Sequence, residues 1–136
     1  MILADTSAWV EYDRATGSAV DERVAELIAT DGPLAVTEPV VMEVLAGART
    51  EEREDQLRAL LLHFQLRSVD VAGDFEAAAR VYRRCRRAGI TPRGLVDCLI
   101  VTVAWRNSDS LLAYDIDLAR IAATLGVPLD PASRSD

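Results

Sequence analysis

The chain has 136 residues, of which 50% are hydrophobic and 27% are charged, values typical of a globular protein with one core and not of a disordered chain. Its 22 acidic residues outnumber its 15 basic ones, and the formal charge of −7 argues against binding of nucleic acid through a broadly basic surface. All fifteen basic residues are arginines, which excludes mechanisms that need a lysine, such as Schiff bases and phosphate-loop nucleotide binding.

Short apolar segments alternate with amphipathic ones along the chain, and turn or capping residues separate them. In chain order, the predicted elements are a strand at 2–4, a helix through 20–28 capped by Ser18, a strand at 34–36, an apolar segment at 40–45 closed by Gly47, a helix from Thr50 to Phe64, a strand within 66–71, a helix from Phe75 to Gly89, a helix from Thr91 through Trp105, a strand at 110–114, a helix through 118–125 stopped by Gly126, and a strand at 127–129. The apolar positions of the helix that ends at Gly89 are Phe75, Ala78, Ala79 and Tyr82, which we expect to face the core. This alternation predicts an α/β fold, formed as a single domain by residues 1–136, in which a central, mostly parallel sheet of four to five strands is flanked by helices.

Features of secreted and membrane proteins are missing from the sequence. Two cysteines, Cys85 and Cys98, are too few for a disulfide framework, and we expect both to be reduced and structural. No apolar run reaches the length of about 18 residues that spans a bilayer, and the chain opens on 1–5 with no basic region ahead of an apolar one. We therefore expect a cytoplasmic protein that does not associate with membranes.

Two acidic residues lie where a parallel sheet places its ligands, beyond the carboxyl ends of the strands. Asp5 directly follows the first predicted strand, although an aspartate there is equally well explained as a helix cap for the segment that starts at Thr6. Glu43 lies in the apolar segment after the second strand, where a surface glutamate of an amphipathic helix is the alternative. Neither residue is diagnostic alone.

Asp97 is harder to explain as an ordinary surface residue. It lies in an apolar run from Leu95 to Trp105, and a helix that is apolar on all sides is a buried helix. A buried carboxylate must be paired, protonated or bound to a metal, because an isolated buried charge is very unfavourable. An internal salt bridge is the alternative to a functional role.

Asp115 and Asp117 follow the strand predicted at 110–114 and precede the last helix. One of them is expected to be the N-cap of that helix. Because only one residue can occupy that position, the other is available for a different role.

Together these acids predict a cluster that needs counter-ions, since carboxylates about 4 Å apart repel by several kcal/mol at an effective dielectric near 20. Oxygen ligands of this kind select Mg²⁺ or Mn²⁺, which also bridge to substrate phosphates. Two such ions can activate a water and stabilise both oxygens of an in-line phosphoryl displacement. The chemistry predicted is hydrolysis of a phosphodiester.

The ordered set of acids resembles the PIN-domain ribonucleases, and within them the VapC-type toxins of toxin–antitoxin pairs. The resemblance covers nearly the whole chain, and two positions, Tyr114 and Leu118, depart from residues that many relatives carry there. The segments that carry the resemblance are Asp5-Thr6-Ser7, Glu43 with Gly47, Asp97-Cys98-Leu99-Ile100 and Tyr114-Asp115-Ile116-Asp117-Leu118. This resemblance implies catalytic roles for Asp5, Glu43, Asp97 and Asp115. It also implies that Asp5, Asp97 and Asp115 bind metal, with Asp117 as a supporting acid. Thr6 or Ser7 would position the substrate.

The same resemblance implies partners and a function. The expected protein is a metal-dependent endoribonuclease toxin that uses Mg²⁺ or Mn²⁺ and is neutralised by a VapB-type antitoxin, whose tail fills an exposed apolar groove. A homodimer is also expected, with contact through the helices that end near Phe64 and Gly89, and a heterotetramer or larger assembly with the antitoxin. The alternative is a non-catalytic PIN-like module that binds RNA or protein.

Two other classes of α/β protein are disfavoured by the sequence. A signalling receiver domain needs a lysine, which this chain lacks. A dehalogenase-type phosphatase needs a second acid two residues after Asp5, where this chain has Ser7.

Other conspicuous residues have structural explanations. His63, the only histidine, is predicted to be a surface or half-buried residue of an amphipathic helix. Trp9 and Trp105 are predicted to be packing residues and not platforms for base stacking. The arginine run at 83–87 is interpreted either as a solvated helix face or as a contact for RNA phosphates.

Overall fold

Strands and helices alternate from the N-terminus onward in the computed structural model, which describes residues 1–134. The strands within these residues are β1 (Ile2–Ala4), β2 (Leu34–Val36), β3 (Gln65–Leu66) and β4 (Ser110–Leu112). The helices are α1 (Thr6–Asp13), α2 (Ala19–Ala29), α3 (Glu38–Ala46), α4 (Glu51–His63), α5 (Asp74–Arg87), α6 (Leu95–Arg106) and α7 (Ile116–Leu125). The predicted α/β class is confirmed, while the domain end predicted at residue 136 lies outside the described residues.

The four strands pair in parallel, in the order β3-β2-β1-β4. Leu3 of β1 lies opposite Ala35 of β2 and Leu111 of β4, so the first strand of the chain is central in the sheet. Every residue of β1 and β2 is buried, as expected for parallel strands covered on both faces. The strand predicted at 127–129 is reduced to a single bridge between Leu129 and Leu111.

Side-chain oxygens accept the backbone N–H groups that follow two of the strands. After β3, the Val69 N–H donates to the Glu38 carboxylate at 2.8 Å. After β4, the Tyr114 N–H donates to the Ser7 hydroxyl at 2.9 Å. β4 therefore ends at Leu112, before the end predicted at Tyr114, and β3 includes only Leu66 of the segment 66–71 in which a strand was predicted.

Most predicted helix boundaries are confirmed by their caps. The side-chain oxygens of Ser18 and Thr50 accept the backbone N–H groups of Asp21 and Arg53, three residues into α2 and α4. α7 ends at Gly126, whose φ of +74° lies in the left-handed region that favours glycine.

The helix predicted to open at Thr91 begins four residues later, at Leu95. Pro92 disfavours helical backbone in the residue before it. Gly94 is the N-cap and is extended, with φ −161° and ψ 166°. Residues 88–94 therefore form a loop that joins α5 to α6.

The predicted inner face of α5 is only partly correct. Ala78 is buried and Tyr82 is partly buried, as expected, but Phe75 is 55% exposed and Ala79 is exposed. Val81 takes the buried position instead. The first residue of α5 is a buried aspartate paired with an arginine at the end of α6, and this pair fixes the rotation of the helix.

The residues interpreted as structural are mostly placed as expected. Trp9 is 2% exposed and lies in the core, and Cys85 and Cys98 are buried free thiols. His63 is exposed on the last turn of α4. Trp105 is the exception, because it is 60% exposed at the end of α6, so the prediction that it is a packing residue was wrong.

The outer faces of the helices are charged. Glu51, Glu52 and Glu54 are acidic residues of the first turn of α4, and the four arginines at 83–87 are exposed around the buried Cys85. Within residues 1–134, no helix combines the length and apolarity needed to cross a bilayer.

Three buried aspartates are each paired with an arginine from a distant part of the chain. Pairing is what allows a carboxylate to be buried, because removal of one partner leaves an uncompensated charge. These acids hold elements together and are distinct from the carboxylates at the strand ends. The pairs are Asp74–Arg106 at 2.8 Å, Asp109–Arg67 at 2.9 Å and Asp130–Arg23 at 3.3 Å.

Candidate active site

A groove of about 530 Å³ opens at the carboxyl ends of β1 and β4. Asp5 follows β1 and Asp115 follows β4, while Glu43 comes from α3 and Asp97 from the first turn of α6. The residues that line it are Asp5, Thr6, Ser7, Glu43, Arg93, Gly94, Val96, Asp97 and Asp115. The fold thus brings four of the five predicted acids together, and both predicted substrate-positioning residues with them.

Asp5 fulfils both interpretations that its sequence position left open. It is the N-cap of α1, and its carboxylate accepts the Ser7 N–H at 3.2 Å and the Ser7 hydroxyl at 2.7 Å. It also lines the groove, although the residue is only 3% exposed. Burial raises the pKa of Asp5 against the lowering effect of the Ser7 hydrogen bonds, and the Asp115 carboxylate raises it further.

Ser7 joins the ends of the two central strands. Its hydroxyl donates to Asp5 after β1 and accepts the N–H groups of Tyr114 and Asp115 after β4, at 2.9 and 3.2 Å. This one side chain therefore fixes the spacing of two of the acids. Because its hydrogen bonds are directed at the protein, the structure gives Ser7 an organising role in addition to its predicted contact with substrate.

Thr6 performs the equivalent task for the acid on α3. Its hydroxyl donates to Oε1 of Glu43 at 2.6 Å, across the junction between α1 and α3. The second oxygen of Glu43 has no hydrogen bond among residues 1–134. Glu43 is thus oriented by one oxygen and has the other available at the groove.

Asp97 is the acid without a counter-ion. Within the described part of the chain it enters no ion pair and no side-chain hydrogen bond, so the internal salt bridge considered as an alternative is not formed. Burial raises the pKa of Asp97 to about 7, and the carboxylates of Asp5, Asp115 and Glu43 add to this effect more than Arg93 opposes it. The centre of the groove therefore has a deficit of positive charge.

Asp115 and Asp117 are held by the same arginine. Asp115 is the N-cap of α7, since its Oδ1 accepts the Asp117 N–H at 2.9 Å, and its Oδ2 forms an ion pair with Arg93. The Nε of Arg93 lies 2.8 Å from Oδ2 of Asp117, whose other oxygen is 3.6 Å from Arg120. Asp117 lines a neighbouring pocket with Arg120 and not the groove itself, so the structure places this fifth acid beside the cluster.

Sequence reasoning missed Arg93. The residue precedes Asp97 by four positions, in a Pro-Arg-Gly segment that carries no helical or strand periodicity. Only its contacts in space distinguish it from the other fourteen arginines.

The donor set of the groove fits a hard divalent cation. Carboxylate oxygens are the ligands that Mg²⁺ and Mn²⁺ prefer, and the unpaired Asp97 supplies a negative charge that lacks a partner. Among residues 1–134, no three acidic, cysteine or histidine side chains already stand in a metal-binding arrangement. Two of the acids are engaged by other side chains, Glu43 by Thr6 and Asp115 by Arg93.

Most of the chain matches the model of a known protein family. A family model described as the PIN domain matches residues 2–124. The chain belongs to the PIN-domain family. The resemblance noted in the sequence is therefore confirmed over most of this PIN domain, from β1 to the last helix.

Named relatives of this PIN domain are ribonucleases. Ribonuclease VapC11 of Mycobacterium tuberculosis is 44% identical over 123 residues, which cover 90% of this chain and 92% of that protein. VapBC2 from Rickettsia felis, solved with a DNA fragment from its promoter, has a similar fold, with a TM-score of 0.73 at 14% identity over 98% of this chain and 99% of that chain. A toxin–antitoxin complex from Klebsiella pneumoniae matches with a TM-score of 0.68 at 19% identity over 98% and 96% of the two chains.

Proposed function

We propose that this chain is an endoribonuclease toxin of the VapC type and that the groove between β1 and β4 is its active site. The observation that carries the proposal is the unpaired Asp97, which faces three other carboxylates in an open groove. The 44% identity to a protein named as a ribonuclease, over 90% of the chain, supports the same conclusion. We take residues 1–136 to be one PIN domain.

Mg²⁺ or Mn²⁺ is the cofactor that the donor set favours. Asp5, Asp97 and Asp115 would hold it, with Asp117 beside them as a supporting acid. A bound divalent ion would lower the pKa of a water and neutralise charge on the phosphate that reacts. Hard oxygen ligands and the absence of histidine from the groove lining argue against zinc.

The protein's own side chains then divide the remaining work. Glu43 keeps one oxygen fixed on Thr6 and can accept the proton of the attacking water on the other, which makes it the candidate general base. Ser7 holds Asp5 and the backbone of Asp115 at a fixed separation, so that the acids need little reorganisation during the reaction. Thr6 and Ser7 also lie where a substrate phosphate would pass.

A VapB-type antitoxin is the partner that would keep such an enzyme inactive. A second groove, of about 560 Å³, runs between α1, α3 and α4 and reaches the active site at Glu43. Its lining combines apolar and charged side chains, which suits an amphipathic segment of an antitoxin tail. The apolar residues are Trp9, Val44 and Leu57, and the charged ones include Asp13, Arg14, Arg49 and Arg53. The complexes of similar fold support this assembly, and a homodimer that binds antitoxin as a heterotetramer or larger particle is the form that we propose.

Cleavage of RNA by the purified chain tests the proposal. We expect single-stranded RNA to be cut with Mg²⁺ or Mn²⁺ and to stay intact in chelator. Asp97→Asn should reduce the rate by about 100-fold or more, because an ion loses a ligand. Glu54→Gln on the exposed face of α4 removes the same charge outside the groove and should leave the rate unchanged. RNA that binds without being cut would favour the non-catalytic module instead.

A further inference from the structure

Arg93 is the one arginine among the described residues that lines the acidic groove. It forms ion pairs with Asp115 and, through Nε at 2.8 Å, with Asp117. Its charge also reaches Asp97. A single guanidinium therefore pairs directly with two of the five acids, Asp115 and Asp117.

The position of this arginine on the chain allows it to move. Its side chain is 63% exposed, and it lies in the loop between α5 and α6. Outside the helices, residues 91–93 enter none of the backbone hydrogen bonds found within residues 1–134. Gly94, the next residue, has open space where a side chain would stand. Buried Pro92 anchors the loop. Among residues 1–134, the guanidinium forms ion pairs with Asp115 and Asp117 alone.

A divalent cation and this guanidinium compete for the same oxygens. Asp115 has one oxygen committed to capping α7 and the other paired with Arg93, so a cation that binds Asp115 competes with the arginine for this carboxylate. Once displaced, the guanidinium remains at the rim of the groove. Its planar donors match the oxygens of a phosphate.

We propose, resting on the function proposed above, that Arg93 is an exchangeable counter-ion of the active site. In the metal-free protein it neutralises Asp115 and Asp117. When a divalent cation binds, Arg93 leaves Asp115 and binds a phosphate of the RNA. The exchange links metal binding to substrate binding, because the arginine becomes available to RNA only when the cation has taken its place.

Binding of Mn²⁺ alone, measured by calorimetry, tests the first half of the exchange. Arg93→Gln removes the competing charge and should tighten Mn²⁺ binding roughly tenfold, the effect of one positive charge about 6 Å from a divalent ion in water. Arg120→Gln is the matched control, because the Arg120 side chain is 62% exposed and its one ion pair with an acid of the site among residues 1–134 is with Asp117, at 3.6 Å. It should change the affinity less than about twofold. Cooperative thermal unfolding of both variants verifies that they are folded.

Binding of a short single-stranded RNA in Ca²⁺, with a gel to verify that the RNA stays intact, tests the second half. Loss of one phosphate contact should lower the slope of log affinity against log salt by about 0.7 in Arg93→Gln and leave it unchanged in Arg120→Gln. Equal Mn²⁺ affinities for the two variants, or an unchanged salt slope for Arg93→Gln, would overturn the exchange. If the wild-type protein binds neither Mn²⁺ nor RNA, the proposed function is contradicted as well. This result is distinguishable from failure of the exchange alone, in which the wild-type protein binds both and only Arg93→Gln departs from expectation.

Discussion

Asp97→Asn should stabilise the metal-free protein at neutral pH, which is the opposite of what loss of a buried charge pair does. Burial and the carboxylates of Asp5, Asp115 and Glu43 raise the pKa of Asp97 from 3.8 to about 7. Between these values the folded state holds a proton that the unfolded state releases, so the free energy of unfolding falls as the pH rises through this window. The asparagine variant lacks this penalty.

The gain in the free energy of unfolding follows from the shift in the pKa of Asp97. Each pKa unit corresponds to about 1.4 kcal/mol, which gives an upper limit of about 4 kcal/mol near pH 8. Partial exposure of Asp97 to water reduces this limit, and we expect a gain of about 1 to 3 kcal/mol. Near pH 4, where Asp97 is protonated in the folded state, the two proteins should have equal stability.

Urea denaturation of metal-stripped protein between about pH 4 and pH 8 measures the difference directly. Saturating Mg²⁺ or Mn²⁺ should reverse the order, since wild type gains binding energy that the variant lacks. Asp74→Asn is the control. Burial alone would raise the pKa of Asp74, but hydrogen bonds from Arg106 and a backbone N–H hold it below its usual value, so this variant should lose stability at neutral pH with or without metal. Metal-free Asp97→Asn that is less stable than wild type near pH 8 would refute the assignment of Asp97 as an unpaired acid.

Three further substitutions test parts of the fold that hold the site. Ser7→Ala removes the hydroxyl that joins the ends of β1 and β4 and should lower the free energy of unfolding by about 1–3 kcal/mol in urea titrations; no loss would contradict this organising role. Asp109→Asn leaves Arg67 without its partner in a buried ion pair and should lower the free energy of unfolding by about 3–5 kcal/mol. A loss of stability that depends on added metal would contradict a purely structural role for this pair. Gly126→Ala forces a side chain into the left-handed region and should cost about 1 kcal/mol by thermal unfolding, whereas Gly47→Ala, at φ −86°, should not.

Much of the site could be predicted because its chemistry conflicts with its sequence surroundings. Asp97 stands in a run of apolar residues that forms a buried helix, and an acid there needs a special explanation. Asp5 and Asp115 follow strands, and parallel strands bring their carboxyl ends to one edge of a sheet. The fold class followed in the same way from the alternation of short apolar strands with amphipathic helices.

The remaining features depend on contacts between distant residues, which local patterns do not encode. The face of α5 is set by its buried pair with α6, so Phe75 faces solvent although its spacing is that of a core residue. Trp105 is large and apolar but lies at a helix end that nothing covers among residues 1–134. Arg93 becomes part of the site only through Asp115 and Asp117, which follow it by more than twenty residues.

A crystal structure of the protein soaked with Mn²⁺, with the metal located by anomalous scattering, tests the central claim most directly. The account predicts a peak in the groove, about 2.0–2.2 Å from carboxylate oxygens of Asp5, Asp97 and Asp115, with Arg93 no longer paired with Asp115. A groove without a peak at saturating Mn²⁺, or an Asp97 that stays outside the coordination of the metal, would contradict it.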